Sequence, residues 1–271
     1  MKIRLAALAA VALAAMVTPA AGAPAAASAD MALVPAGRQL VFFAAKAPAG
    51  ASDAEAERGA SVEVPAFLMD RLPVTRRQFA EFVRAQPEWR RSRVAAALAD
   101  SHYLEDWRSD LDPGASAPGA APVTRVSWFA ADAYCRWKGK ELPTVDQWER
   151  AAAGGEPGAA AIREKILKWY GRPATEPLRP VGKDAPNAYG LYDLHGLIWE
   201  WTLDFNSTMV SSESRDSGAK DDPLFCGSGS QGAVDPSDYA TFMRYAMRNS
   251  LKASYTTSAL GFRCVAEVDR P

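Results

Sequence analysis

Residues 142–155, LPTVDQWERAAAGG, predict a helix with a defined start and end. Thr144 and Gln147 have the spacing of a capping box, in which each side chain bonds to the other residue's backbone N–H. Trp148 follows as the first large apolar residue, and Gly154 with Gly155 supplies the left-handed conformation that ends many helices. We therefore expect a helix between Thr144 and Gly154.

The same device occurs earlier in the chain, where Thr75 and Gln78 form a second capping box. The helix that follows should bury Phe79, Phe82 and Val83, which are spaced for one helical face.

A third helix is expected after Ser127, with Phe129, Ala133 and Trp137 on its apolar stripe. Residues 33–35 and 62–69 are predicted to be strands. The long stretches between these elements have no strong period, so the predicted fold is an irregular α+β domain. The chain's eight tryptophans and eight tyrosines supply large apolar areas that allow such a loop-rich domain to fold.

The N-terminus has the pattern of a secretion signal. Lys2 and Arg4 precede an apolar run, and Ala27-Ser28-Ala29 offers small residues for cleavage. We expect a signal peptide over residues 1–29, one domain over residues 30–271, and a periplasmic or secreted location. Export implies an oxidising compartment, in which paired cysteines are usually bonded.

Composition excludes several functional classes. The chain has 31 basic and 32 acidic residues, a formal charge of −1, which gives no field for nucleic acid. Its apolar runs are too short to cross a bilayer, so no integral membrane protein is expected. Two histidines and three cysteines cannot build a histidine-rich metal centre or a zinc ribbon.

Several sequence blocks, in order, resemble the formylglycine-generating enzyme or sulfatase-modifying factor family. They are LPT at 142–144 with Trp148-Glu149, GLYD at 190–193 with WEW at 199–201, and GFRC at 261–264. The resemblance implies a C-type-lectin-like fold with little regular structure, and a disulfide between Cys135 and Cys264. Five tryptophans are interpreted as core residues: Trp128, Trp137, Trp148, Trp199 and Trp201.

Enzymes of this family bind Cu(I) through two cysteines that precede the arginine matching Arg248. Residues 230–248 contain no cysteine, and the two ligand positions fall near Asp235 and Ala240. Cu(I) is a soft ion that prefers sulfur ligands, so neither copper nor the family's chemistry is expected here. Met243 and Met247 could offer thioethers, although core packing is the simpler interpretation. Cys226 is either a single thiolate or a small buried residue.

The sequence also offers candidate ligands for two other metals, iron and calcium. A facial iron triad needs two histidines and a carboxylate, but His102 and His195 are far apart in sequence. His102 is expected to be solvated and His195 to make a structural hydrogen bond. For a structural calcium ion, the nearby oxygen donors are Asp184, Asn187, Asp193 and Glu200.

Two functional hypotheses follow. The first is an accessory or maturation factor whose cleft binds a periplasmic protein or peptide. A further resemblance of residues 225–230 and 199–206 to a bacterial periplasmic subgroup that includes the NirV proteins suggests a copper or respiratory enzyme as partner. The alternative is an O2-dependent oxidoreductase with a rebuilt site. Its candidate residues are Cys226, His195, Ser230, Asp235, Tyr239, Arg244 and Arg248.

Overall fold

The structure is a computed structural model. It describes residues 30–40, 61–115, 118–154, 159–172, 178–205 and 239–268. The predicted signal peptide therefore lies outside the described residues.

Within the described residues, seven short strands form three small sheets. They are β1 Met31–Val34, β2 Gly37–Leu40, β3 Ser61–Val64, β4 Phe67–Asp70, β5 Trp199–Glu200, β6 Leu260–Gly261 and β7 Val265–Glu267. The first sheet is antiparallel with the order β1-β4-β7, β2 pairs with β3 in a second, and β5 lies parallel to β6 in the third. Strands near both ends of the described chain therefore flank β4.

The strand predicted over residues 62–69 is wrong in one respect, because it is two strands. Pro65 and Ala66 separate β3 from β4, and the two strands belong to different sheets. Proline has no N–H to give to a sheet, so the ladder breaks where Pro65 stands. The strand predicted at residues 33–35 is β1, which ends at Val34.

Five α-helices and one 3₁₀-helix lie within the described part of the chain. They are α1 Arg76–Ala85, the 3₁₀-helix Pro87–Trp89, α2 Trp128–Trp137, α3 Val145–Ala153, α4 Ala159–Tyr170 and α5 Tyr239–Ser250. Both predicted capping boxes are confirmed at Thr75 and Thr144. Gly154 ends α3 with φ of 66°, as its position predicted.

Helix α2 begins at the predicted cap, Ser127, but buries a different face from the one predicted. The buried residues include Tyr134 and Cys135, whereas Phe129, Ala133 and Trp137 are only half-buried. The Tyr134 ring lies 5.9 Å from Phe79 and 5.3 Å from Phe262, so contact with α1 and the C-terminal strands sets the orientation of the helix.

The core formed by the described residues includes two apolar clusters. One lies between α1, α2 and the residues around β6, and it includes Phe79, Phe82 and Val83 as predicted. The other packs α3 beneath the three-stranded sheet. A disulfide between Cys135 and Cys264, with a Cα–Cα distance of 5.6 Å, links α2 to the segment that leads into β7.

These elements give an α+β fold with little regular secondary structure, in agreement with the prediction. Among the residues that the structure describes, no helix is both long and apolar enough to cross a membrane.

Candidate functional site

A fully buried ion pair joins Glu200 and Arg263. Arg263 Nε donates to Glu200 Oε2 at 2.8 Å, and Nη2 donates to Oε1 at 2.9 Å. The indole Nε1 of Trp148 donates to the same carboxylate at 2.8 Å. Both partners of the ion pair have fully buried side chains.

The remaining N–H groups of Arg263 are also used. Nη1 donates to the carbonyls of Asp70 and Arg71, and Nη2 donates to that of Tyr192. A guanidinium group has five donors, and here they are directed at a carboxylate and three carbonyl oxygens. This group, which we call the Glu200 pair, joins β5, the loop before it and the turn after β4.

A second buried carboxylate belongs to Glu149, which follows Trp148 in α3. Glu149 accepts from Arg244 Nη1 at 2.6 Å and pairs with Arg248 Nη2 at 2.8 Å. The two arginines lie one turn apart on α5, so they reach the carboxylate from the same helix face. Their side chains retain 12% of their exposure, against 0% for Arg263.

The charge state of Glu149 follows from these neighbours. Burial alone would raise the pKa of this carboxyl, but Arg244 and Arg248 outweigh burial and hold the pKa below its ordinary value. Glu149 is therefore ionised at neutral pH. Together with Arg244 and Arg248, it forms what we call the Glu149 cluster.

The Glu149 cluster borders a cleft between α3, α4, α5 and the segment before β5. The cleft has about 390 Å³ of empty space, including the part that opens to solvent. Its lining side chains are mostly apolar or aromatic, with a few charged groups: Trp148, Trp169, Leu194, His195, Ile198, Trp199, Glu200, Arg244, Met247, Arg248, Leu251 and Leu260. This mixture of apolar walls and few polar groups is typical of ligand sites.

A tight turn places His195 in the wall of the cleft. Asp193 has a positive φ of 59°, and its carboxylate accepts from Arg179 Nη2 at 3.0 Å and from the Gly182 N–H at 2.5 Å. On the other side, Gly196 has φ of 109°, and its carbonyl accepts from Arg172. These contacts stabilise backbone angles that most residues avoid.

The imidazole of His195 is buried but lacks a hydrogen bond at Nε2. Its ring meets Trp148 edge-on, with centroids 5.2 Å apart, and no described residue bonds to Nε2. Burial, with a contribution from Arg244, lowers its pKa to about 3. The structural hydrogen bond expected for His195 is therefore not found at this atom, and the imidazole is neutral.

Three candidate residues of the oxidoreductase hypothesis line this cleft: Arg244, Arg248 and His195. Met247 also lines it, whereas Met243 does not. Tyr239 begins α5, but its side chain lies outside what the structure describes. Cys226, Ser230 and Asp235 also lie outside the described residues. Ala240, near the second copper-ligand position, is buried in the first turn of α5.

The predicted tryptophans divide between core and cleft. Trp201 is fully buried and donates to the carbonyl of Val126, and Trp148 is buried too. Trp128, Trp137 and Trp199 are half-buried against the core. Trp148 and Trp199 also face the cleft, a role that the core interpretation did not include.

The four oxygen donors proposed for calcium already serve other contacts. Asp184 and Asp193 both accept from Arg179, and Glu200 belongs to the Glu200 pair. Asn187 bonds to the backbone of Ala151, Tyr189 and Leu191. Calcium binding there stays a prediction.

His102 lies on the surface beside Glu105, with 60% of its side chain exposed, as expected. The described residues contain no group of three or more His, Cys, Asp or Glu side chains placed to hold a metal ion.

Sequence reasoning missed Glu149 and Trp169. A signal for Glu149 was present, because it occupies a buried position of α3 in the series Val145, Trp148, Glu149, Ala152. An acidic residue on the apolar stripe of a helix needs a buried partner, and Arg244 and Arg248 are those partners. Trp169 carried no such signal, since the segment around it matched no block of the family.

A family model and several known proteins are similar to this chain. A family model described as the sulfatase-modifying factor enzyme 1-like domain matches residues 18–268. The chain is 33% identical over 184 residues to the inactive C-alpha-formylglycine-generating enzyme 2 of Mus musculus, covering 52% of this chain and 59% of that protein. It is also 33% identical over 190 residues to the formylglycine-generating enzyme of Thermomonospora curvata, covering 54% and 62%.

The match thus spans about three-fifths of the length of these relatives. Among solved structures, the crystal structure of CarF aligns with a TM-score of 0.46 at 18% identity, covering 89% of this chain and 98% of that one.

Proposed function

Because the chain belongs to the sulfatase-modifying factor enzyme 1-like family, we propose that it is an exported accessory or maturation factor whose cleft binds a peptide segment of another exported protein. The cleft itself supports this most directly. It combines aromatic walls from Trp169 and Trp199 with the guanidinium groups of Arg244 and Arg248. Aromatic faces bury apolar side chains, and guanidinium groups bind carboxylate and carbonyl oxygens.

The donor chemistry around the cleft supports binding over copper catalysis. Met247 is the one sulfur-bearing residue among the described side chains that line it. Ala240, near the second ligand position expected from the family, offers only a methyl group, and the cleft is lined by two arginines. Thiolates hold Cu(I), whereas cationic side chains oppose it. The described residues that line the cleft do not fit a family copper centre.

Export is part of the same proposal. The basic and apolar pattern of residues 1–29 supports secretion, and the Cys135–Cys264 disulfide suits an oxidising compartment. A periplasmic copper or respiratory enzyme is the partner that we propose, following the resemblance to the periplasmic subgroup.

A capture experiment with matched variants tests the accessory role. Met247→Trp adds bulk inside the cleft, and Leu33→Trp adds the same side chain at a position that is 52% exposed on β1. We expect the natural protein and Leu33→Trp to capture the same exported protein and Met247→Trp to lose it. Equal capture by all three proteins would contradict cleft binding.

The alternative is an O2-dependent oxidoreductase with a rebuilt site, which would include Cys226 and His195. The cleft contains a neutral imidazole and a thioether, and identity to an active and an inactive relative is the same, 33%. Anaerobic titration with Cu(I) and Fe(II) separates the two proposals. Stoichiometric metal binding that Cys226→Ala abolishes, or conversion of a thiol peptide to its aldehyde, would favour the oxidoreductase.

A further inference from the structure

His195 has a buried Nε2 atom that no described residue satisfies. His195 is 4% exposed and lines the cleft, yet no described residue forms a hydrogen bond with this nitrogen. A buried polar atom without a partner costs free energy, so native proteins usually satisfy it with protein, water or a ligand. The position of His195 in the cleft wall makes a ligand atom the natural partner.

The charges around the imidazole indicate what kind of atom this is. Arg244, Lys165 and Arg248 act on His195 as cations, and Glu149 is the main opposing carboxylate. A positive potential at a neutral imidazole disfavours a metal ion or an ammonium group. It favours an oxygen that carries negative charge.

The walls next to this position suit an amino-acid side chain. The rings of Trp169 and Trp199 lie 5.0 Å apart at 46°, and Tyr170 stacks on Trp199 at 5.5 Å. Such rings bury apolar groups well, while the arginines and His195 lie on the polar side of the same cleft.

We infer that the cleft binds a peptide carboxylate, with His195 Nε2–H donating to it beside Arg244 and Arg248. This inference rests on the proposed peptide binding and specifies its chemistry. The carboxylate belongs either to a chain terminus or to an acidic side chain.

The chain contains two histidines, so imidazole NMR can follow each of them separately. Histidine-labelled full-length protein is titrated with N-acetylphenylalanine, with N-acetylphenylalaninamide, and with N-acetylphenylalanyl-glutamate amidated at its C-terminus. We expect the two acids to shift the His195 signal and the neutral amide to leave it in place. The exposed His102 serves as the internal control. Whichever acid binds more tightly identifies the source of the carboxylate.

A variant series assigns the contact. His195→Phe keeps a ring against Trp148 but removes the donor, and we expect it to weaken acid binding about tenfold, because a hydrogen bond to a charged group is lost. Arg248→Gln should weaken it similarly, whereas Arg93→Gln, an exposed arginine outside the cleft, should not. A circular dichroism spectrum of His195→Phe that matches the natural protein confirms that the variant folds. Competition between a labelled and an unlabelled form of the same acid measures the affinity of each variant.

Two outcomes would overturn the inference: equal binding of acid and amide, or undiminished acid binding by His195→Phe. The accessory role is judged separately. If capture still depends on Met247 while neither acid binds, the carboxylate assignment fails and peptide binding stands. If His195-dependent acid binding persists without cleft-dependent capture, the accessory role alone is rejected.

Discussion

The Glu200 pair and the Glu149 cluster consist of the same two residue types, glutamate and arginine, but their arginines differ in burial. The side chains of Glu200 and Arg263 are wholly buried, and the Nε, Nη1 and Nη2 groups of Arg263 all have acceptors within the fold. Glu149 is also buried, but Arg244 and Arg248 are partly exposed at the edge of the cleft. Trp148 connects the two, because its indole bonds to Glu200 while its ring faces Arg248 at 5.5 Å.

The difference in burial of the arginines indicates that ion pairs of the same two residue types can have two roles. A buried pair whose hydrogen bonds are all made fixes the elements around it, and removing one partner leaves a charge in the core. A pair at a cleft can exchange part of its contact for water or a ligand. Four predictions test that distinction.

The largest effect is expected for Arg263→Met, which leaves Glu200 charged and buried. We expect a loss of about 3–5 kcal/mol in the free energy of unfolding. Urea unfolding followed by tryptophan fluorescence measures this loss, with the exposed Arg93→Gln as control. A loss no larger than that of the control would mean that the Glu200 pair does not hold the core.

The second effect depends on pH and concerns His195. Its folded pKa is about 3, and its unfolded pKa is near the ordinary 6.5. Between pH 3 and pH 6.5 the unfolded state therefore binds more protons than the folded state. The free energy of unfolding that comes from the buried neutral His195 is fully present above pH 6.5 and is lost as pH falls toward 3. When the pH is lowered from 7.5 to 5, the free energy of unfolding, measured by urea unfolding, should fall by about 2 kcal/mol more for the natural protein than for His195→Phe. Parallel pH profiles for the two proteins would contradict the buried neutral state.

For Glu149→Gln, we expect the free energy of unfolding to fall by about 1–2 kcal/mol. This loss is smaller because Arg244 and Arg248 can turn toward water in the cleft. The same urea measurement applies, and the comparison with Arg263→Met is the informative one. If Glu149→Gln were the more damaging change, the Glu149 cluster would be the structural centre.

The smallest effect should come from Asp184→Asn. Asp184 is half-exposed and pairs with Arg179, which also bonds to the buried Asp193. Exposed ion pairs contribute little, so we expect a change below about 1 kcal/mol. Asp193→Asn is the matched control and should cost more, because it also weakens the bond to the Gly182 N–H. Similar losses for both would show that burial does not distinguish these pairs.

Local signals predicted the parts of the fold that short stretches of sequence determine. The caps at Thr75 and Thr144 and the end of α3 at Gly154 depend on neighbours within a few residues, and all three are confirmed. The orientation of α2 was predicted wrongly, because its buried face is chosen by Phe79 and Phe262, which are distant in sequence.

The candidate site was only partly predictable for the same reason. Arg248 was found from the family pattern and Arg244 was proposed as a further cleft residue, but their carboxylate lies 95 residues away from Arg244 on another helix. Periodicity could mark Glu149 as an acid in an apolar position, yet it could not identify the partner. Likewise, the unpaired nitrogen of His195 follows from packing around a turn, and no residue pattern encodes it.

The order β1-β4-β7 has a consequence for how the protein is made. The middle strand emerges from the ribosome almost two hundred residues before β7, its second neighbour. The sheet and the Cys135–Cys264 link can therefore be completed only after most of the polypeptide has been synthesised. A nascent chain of this kind cannot complete its three-stranded sheet until translation is nearly finished.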